Sequence, residues 1–467
     1  MRSKRWLFVT AFLVVFALVL AACGDSEGGE TTTTAAGGNG ETTTTAGGGD
    51  TTPPAGDANL RVLIHQNPAF VTYMEGFNQR FQDANPGVTV DMTVVNSGDM
   101  ASSINTRTTA NDVDVIDFCA GSCSAFSNGI EDYMGDDYGE KPIWQQLIEA
   151  GLIMDLTDEP FVANYDETAL QDATTFNDRV YAIPMGRVTY SGMFVNETLL
   201  ADVGVSIPTT WSELVSVCEA VVDSGNSCMT VGGGDGWPIF VGASGVLGSI
   251  FPDQAALAEG LWDGSITWNE GKGLEAVQKF QTFATEMLES GVTGLSHDEA
   301  TARYAGGDVA FMPTGMWQAP NLEGFDPAFD WTYVPVPGSD TAADNQYLWG
   351  KYDMSWMISA DTPEPDVAKA YLAALSEPAE YQAYLDAVGF LPTQPTASLN
   401  SKLGDAVADL VPAYRVGLEQ YWVSPGGAGQ WADGRQAASW FAPFNEWTDA
   451  TELANQIQAD LQAGLDS

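Results

Sequence analysis

The chain is short of positive charge. Seventeen Lys and Arg stand against 63 Asp and Glu in 467 residues, a formal net charge of −46. Such a surface repels nucleic acid and anionic substrates and suits neutral or cationic ligands. The acids are scattered along the chain, so they also read as a solvated shell. Histidine is scarcer still, with only His65 and His297. That number leaves zinc without a ligand set and rules out a credible Ser-His-Asp arrangement. No Gly-x-Ser-x-Gly elbow, His-Glu-x-x-His helix or Cys-x-x-Cys pair occurs, and no motif asks for a cofactor or metal. Beyond the first twenty residues no apolar run is long enough to span a bilayer, so the chain is not itself a permease.

The start of the chain is an address. Arg2, Lys4 and Arg5 precede an apolar run from Trp6 to Leu20, then Leu20-Ala21-Ala22-Cys23. A basic start, a short apolar stretch and small residues before a cleavage point read as a secretory signal over 1–22. A cysteine at that point makes it a lipoprotein signal, with Cys23 taking the lipid and everything after it held outside the cytoplasm on the cell membrane. Residues 23–58 are Thr, Gly, Ala and acids with two four-threonine runs. With no aromatic or large aliphatic side chain, the stretch cannot offset its ordering entropy and reads as a disordered stalk.

Four further cysteines, Cys119, Cys123, Cys218 and Cys228, sit in an oxidising setting and read as disulfides, with three pairings open. The two local pairings close the shortest loops.

About 400 residues remain, more than one small core holds, so two domains or lobes are expected. Leu60–His65 reads as a strand, and Phe70, Tyr73, Phe77 and Phe81 recur at helical spacing up to Asn85-Pro86-Gly87. Val88 to Val94 alternates as a strand, and Val113–Phe118 reads as another. This order implies an α/β fold with mainly parallel sheets, whose ligands sit beyond the carboxyl ends of the strands. Further on, Thr210 and Glu213 form a capping box for a helix burying Trp211, Leu214, Cys218 and Val221. Helices are also expected over Leu274–Met287, up to Gly306-Gly307, and over 367–375, 380–388 and 450–465, with a strand at Val309–Met312.

From Gly151 onward the chain resembles the bacterial extracellular solute-binding proteins of the maltose-binding class, which serve ABC importers. The resemblance rests on Gly151 to Thr157, on Val180-Tyr181-Ala182-Ile183-Pro184, and on Asn196 with Gly204, Pro208, Thr210-Trp211 and Glu213. It continues through Tyr304 to Met312 with Gly315-Met316-Trp317, then Pro335 to Gly338, and Gly389 to Thr393. It implies a periplasmic-binding-protein-like fold: a first lobe of about 59–185 and 353–400, a second of about 186–352 and 401–467, and a hinged cleft between them. It also implies a non-catalytic monomer that hands its ligand to membrane permease subunits. Residues 128–144 carry an insertion, Met134 to Glu140, that the resemblance does not place.

Sugars present flat C–H faces and many hydroxyls, which suit aromatic platforms with carboxylates and amides. The chain has 14 Trp. Trp237 with Asp235, in Gly234-Asp235-Gly236-Trp237, and Trp317 in Gly315-Met316-Trp317 sit in glycine-flanked loops, and the resemblance puts Trp317 at a stacking position. Gln66, Asn67 and Phe118 end first-lobe strands and are expected at the cleft floor. Tyr190 follows the first crossing, and Trp349, Tyr352 and Asp353 begin the second. A carbohydrate, by length an oligosaccharide, is the leading ligand. A cationic or other polar solute such as a polyamine is the alternative within the class. A surface glycoside hydrolase, which needs two facing carboxylates, is the alternative outside it.

Overall fold

The computed structural model describes residues 57–118, 134 and 141–467, all within one compact unit of the chain, 50–467. Cys23, the Thr-rich stretch, Cys119, Cys123 and most of the 128–144 insertion lie outside the described residues. The described strands are, in chain order, β1 Ala58–His65, β2 Val88–Val95, β3 Val115–Phe118, β4 Thr175–Phe176, β5 Arg179–Val180 and β6 Ile183–Thr189. They continue with β7 Gly192–Asn196, β8 Ser227–Met229, β9 Val309–Pro313, β10 Trp331–Pro335, β11 Trp349–Ile358 and β12 Arg415–Val416.

The first sheet is built around the parallel set β2-β1-β3, with Ala58 opposite Val88 and Val62 opposite Val115. Helices cover the sheet, so β1 buries Leu60, Val62, Leu63 and Ile64 in a nearly continuous apolar run. Helix Pro68–Ala84 starts where Asn67 accepts the amide of Phe70, and it buries Phe70, Met74, Phe77 and Phe81 along one stripe. Pro86 disfavours helical backbone at Asn85, which ends it. Phe77 meets Tyr371 edge-on at 5.0 Å and Phe70 meets Tyr384 at 6.2 Å, tying this helix to Pro365–Ser376 and Pro378–Val388.

The second sheet has the order β10-β7-β9-β8. Its β8-β9 pair is parallel, while β7 runs antiparallel to both β9 and β10, so the sheet is mixed. Its side chains alternate between two cores: Phe194, Met312, Trp331 and Tyr333 join the first cluster, Met193, Val195, Ala310 and Phe311 the second. Helices Trp211–Asp223, Trp237–Ile250, Gly271–Thr282 and Ala450–Leu465 enclose the second core. The capping box of Thr210 and Glu213 is present, and Cys218 is bonded to Cys228. The helix expected over Leu274–Met287 is α-helical only to Thr282 and then widens into a π turn over Phe283–Met287, which keeps Ala284 and Met287 buried.

Two crossing strands join these halves. β6 and β11 pair antiparallel from Thr189 opposite Gly350 to Ile183 opposite Trp356. The other edge of β11 is shared: Ser355–Ile358 pairs with β3 and Trp349–Gly350 with β12. Every residue of β11 is buried. A side chain at Gly350 would run into the carbonyl of Val188, so glycine is required where the two strands touch. Met354, in mid-strand, holds φ at 55°, a left-handed conformation that costs a non-glycine residue on the order of 1 kcal/mol.

Candidate ligand cleft

The first group of site residues gathers on three loops of the second half. Trp237 opens helix Trp237–Ile250, and the glycine-rich loop before it lies flat on the segment Val292–His297. A side chain at Gly232 would come 2.5 Å from Cα of His297, so the glycines allow two backbones to touch. Asp235 then accepts the backbone N–H of His297 at 2.7 Å, and Ser296 with Glu299 forms a capping box on helix His297–Ala305. Trp317, its ring folded over Gly315, donates its indole N–H to Nε2 of His297 at 3.1 Å. The ring centroids lie 4.5 Å apart for Trp237 and His297, 6.3 Å for His297 and Trp317, and 6.2 Å for the two indoles. Burial pushes the His297 pKa down to about 3, so at neutral pH its imidazole is uncharged and can accept. All three rings are half-buried.

A seam between the two halves lies at the start of the first-half helix Pro68–Ala84. Asn321, in helix Ala319–Gly324, accepts the backbone N–H of Ala69 at 3.0 Å, and its amide lies 3.4 Å from the side-chain oxygen of Asn67. Beside this seam is a cavity of about 520 Å³, bounded by Pro68, Thr72 and Tyr73 on one side and Asp298, Thr301 and Phe325 on the other. Burial and the nearby Asp235 push the Asp298 carboxyl up, while a bond with Gln318 opposes them. Asn67 therefore serves two ends: it caps its own helix and meets the other half through Asn321.

Tyr190, Trp349, Tyr352 and Asp353 fall in a second group, at the crossing strands. Each is at most 5% exposed. Trp349 packs on Gly248 of helix Trp237–Ile250. The Tyr352 backbone donates to Gln420 at 2.8 Å and its hydroxyl bonds Asp172. Asp353 accepts the amide of Met354 at 2.8 Å. Lys351, itself 4% exposed, donates to Glu419 at 3.1 Å and lies 3.9 Å from Asp353. Of the residues expected at the floor, Gln66 is exposed and bonds through its backbone to Val95, and Phe118 ends β3. His65, one residue before Gln66, sits with Nδ1 2.5 Å from a carboxylate oxygen of buried Asp117 and stacks on Phe70 at 5.0 Å.

The residues that sequence reasoning missed are His297, Asp298, Asn321, His65, Asp117 and Lys351. His297 carried one readable signal, a Ser-His-Asp-Glu start of a helix, which marks a cap and says nothing of the indole twenty residues on. Among the described residues no group of three or more His, Cys, Asp or Glu side chains is placed to hold a metal ion, and no helix is long and apolar enough to cross a membrane.

The protein thus has two sheet-and-helix cores, paired crossing strands joining them and an aromatic cluster on loops of the second half. Residues 137–411 match the family model described as bacterial extracellular solute-binding protein, and the chain belongs to that family. It is 23% identical over 316 residues to the multiple sugar-binding protein of Streptococcus mutans, covering 66% of this chain and 69% of that one. Among solved structures, the solute-binding protein RafE in complex with raffinose superposes with a TM-score of 0.69 at 17% identity, over 88% of this chain and all of that one. The Thermus thermophilus maltotriose-binding protein bound with maltotriose gives 0.63 at 13% identity, over 86% and 99%.

Proposed function

We propose that this protein is the lipid-anchored, extracytoplasmic receptor of an ABC importer, that it captures a carbohydrate in the cleft between its lobes, and that it delivers the sugar to a membrane permease. One observation carries the reading: Trp237 and Trp317 stand together, their ring centroids 6.2 Å apart, half-buried on loops braced by backbone contact. Rigid indole faces suit the C–H faces of a sugar ring, and closing the cleft dehydrates that contact. The names of the relatives point the same way, since they record multiple sugars, raffinose and maltotriose. We place lobe boundaries near 185 and 352, within the crossing strands β6 and β11, and a third near 400. Ligand favours the closed form by whatever contacts it makes there and not in the open form.

The test is a titration of the ectodomain, residues 57–467, with a panel of oligosaccharides, following tryptophan fluorescence and released product together. Saturable quenching without turnover is the expected result. Release of a shorter sugar overturns the receptor reading in favour of a hydrolase, and saturable binding of polyamines with none of sugars overturns the carbohydrate assignment.

A further inference from the structure

We propose that His297 is the positioning residue of the indole platform: by accepting the Trp317 N–H it fixes that ring's plane and leaves Trp317 to meet ligand by its face alone. The inference rests on the carbohydrate reading for its consequence and on geometry for its substance. A free indole recognises a sugar in two ways, by stacking its face and by donating its N–H to a hydroxyl. In this protein the N–H already has a partner, His297 Nε2 at 3.1 Å. Hydroxyl recognition must then come from other groups of the cleft, and Trp317 selects for an apolar sugar face.

Three observations support a built arrangement over a chance contact. The backbone of His297 is fixed from two sides, by Asp235 at 2.7 Å and by the close approach of Gly232. The ring completes a triangle with both indoles, tilted against each, at 4.5 Å and 6.3 Å between centroids. The uncharged state matches the role, because an imidazolium has no lone pair on Nε2 to offer an N–H donor. The indole accepting the sugar is then held by the tautomer that carries its proton on Nδ1, so a single proton position decides the orientation of the platform. Two neighbouring acids, Asp235 and Asp298, bond the His297 backbone and Gln318.

The experiment combines indole ¹⁵N–¹H spectroscopy with calorimetric titration of raffinose and maltotriose, on wild type, His297→Phe and His297→Gln. Phenylalanine keeps a flat ring and removes the acceptor; glutamine restores an acceptor oxygen. The Trp317 signal is identified by its loss in Trp317→Phe. In wild type it exchanges slowly with solvent and stays constant between pH 8 and 5. In His297→Phe it shifts and exchanges at least tenfold faster, while thermal unfolding stays within a few degrees of wild type, and His297→Gln recovers much of the protection. Sugar affinity falls at least fivefold in the phenylalanine variant and recovers in the glutamine one. Unchanged indole exchange in His297→Phe overturns the proposal, as does full affinity despite a lost bond. If wild type binds neither sugar, the carbohydrate reading is what fails, and the indole exchange still decides the role of His297.

Discussion

The aromatic cluster, taken as the mouth of the proposed cleft, and the crossing strands, taken as its hinge, solve the same problem, holding large side chains in one place, with different chemistry. At the mouth, Trp237, His297 and Trp317 are uncharged, half-buried and fixed through loops whose backbones touch. At the hinge, Lys351, Asp353 and Glu419 carry charge into a nearly dry interior, and Trp349 and Tyr352 are enclosed between elements. A half-exposed ring can still be covered by ligand, whereas a ring at 4% exposure has already given its surface to the protein. Mouth residues should therefore govern affinity and hinge residues stability.

Changes at the hinge give the largest effects that test this contrast. Trp349→Ala empties a buried indole site on Gly248 and is expected to cost about 3–5 kcal/mol in urea unfolding. Lys351→Met leaves Glu419 and Asp353 without their cation and should cost about 3 kcal/mol. In both variants the folded fraction should bind sugar with near-native affinity; a large affinity loss with unchanged stability would erase the distinction. Next comes Trp317→Ala, which should weaken sugar binding at least tenfold, about 1.4 kcal/mol, with little change in melting temperature. Asn321→Ala removes the bonds to Ala69 and Asn67 across the seam. It is expected to weaken binding about fivefold, near 1 kcal/mol, and to enlarge the radius of gyration of the ligand-free protein in solution scattering.

A last effect is one of pH, with the same sign for two groups and different windows. His297 refuses a proton in the fold until about pH 3, whereas the unfolded chain takes it up near its ordinary value of 6.5. Stability is then full above about pH 7 and declines as pH falls through 6.5, and His297→Phe should flatten that decline in urea midpoints measured at pH 7 and 5. Asp114 belongs to a lower window. Burial opposes its charge, yet bonds from Arg61 and Thr362 win and hold its pKa below the usual range. Its contribution is present at neutral pH and lost only as pH falls below about 4.

Much of the fold was legible because local pattern and tertiary environment agree. Phe70, Phe77 and Phe81 repeat at helical spacing and are buried, and Thr210 with Glu213 announces a helix start that the fold keeps. The antiparallel β6-β11 pairing was not legible, because it joins residues about 160 positions apart and neither strand carries its partner's register. Trp237 and Trp317 could be picked out by their glycines. His297 could not, since its meaning lies in an indole that only the loop geometry brings to it. The Cys218–Cys228 bond settles one of the pairings that spacing left open.

The C-terminal helix Ala450–Leu465 carries a consequence for how the protein is made. Its Leu453, Ala454, Ile457 and Leu461 are fully buried in the second core, beside helix Gly271–Thr282. Chains emerge from the ribosome N-terminus first. The second core therefore stays open until this helix has been made, and Phe280 and Val277 wait uncovered for a segment synthesised some 170 residues later. Biogenesis has to shield that surface in the interval, and a chain truncated before residue 450 should be captured by chaperones and proteases instead of accumulating as a half-finished receptor.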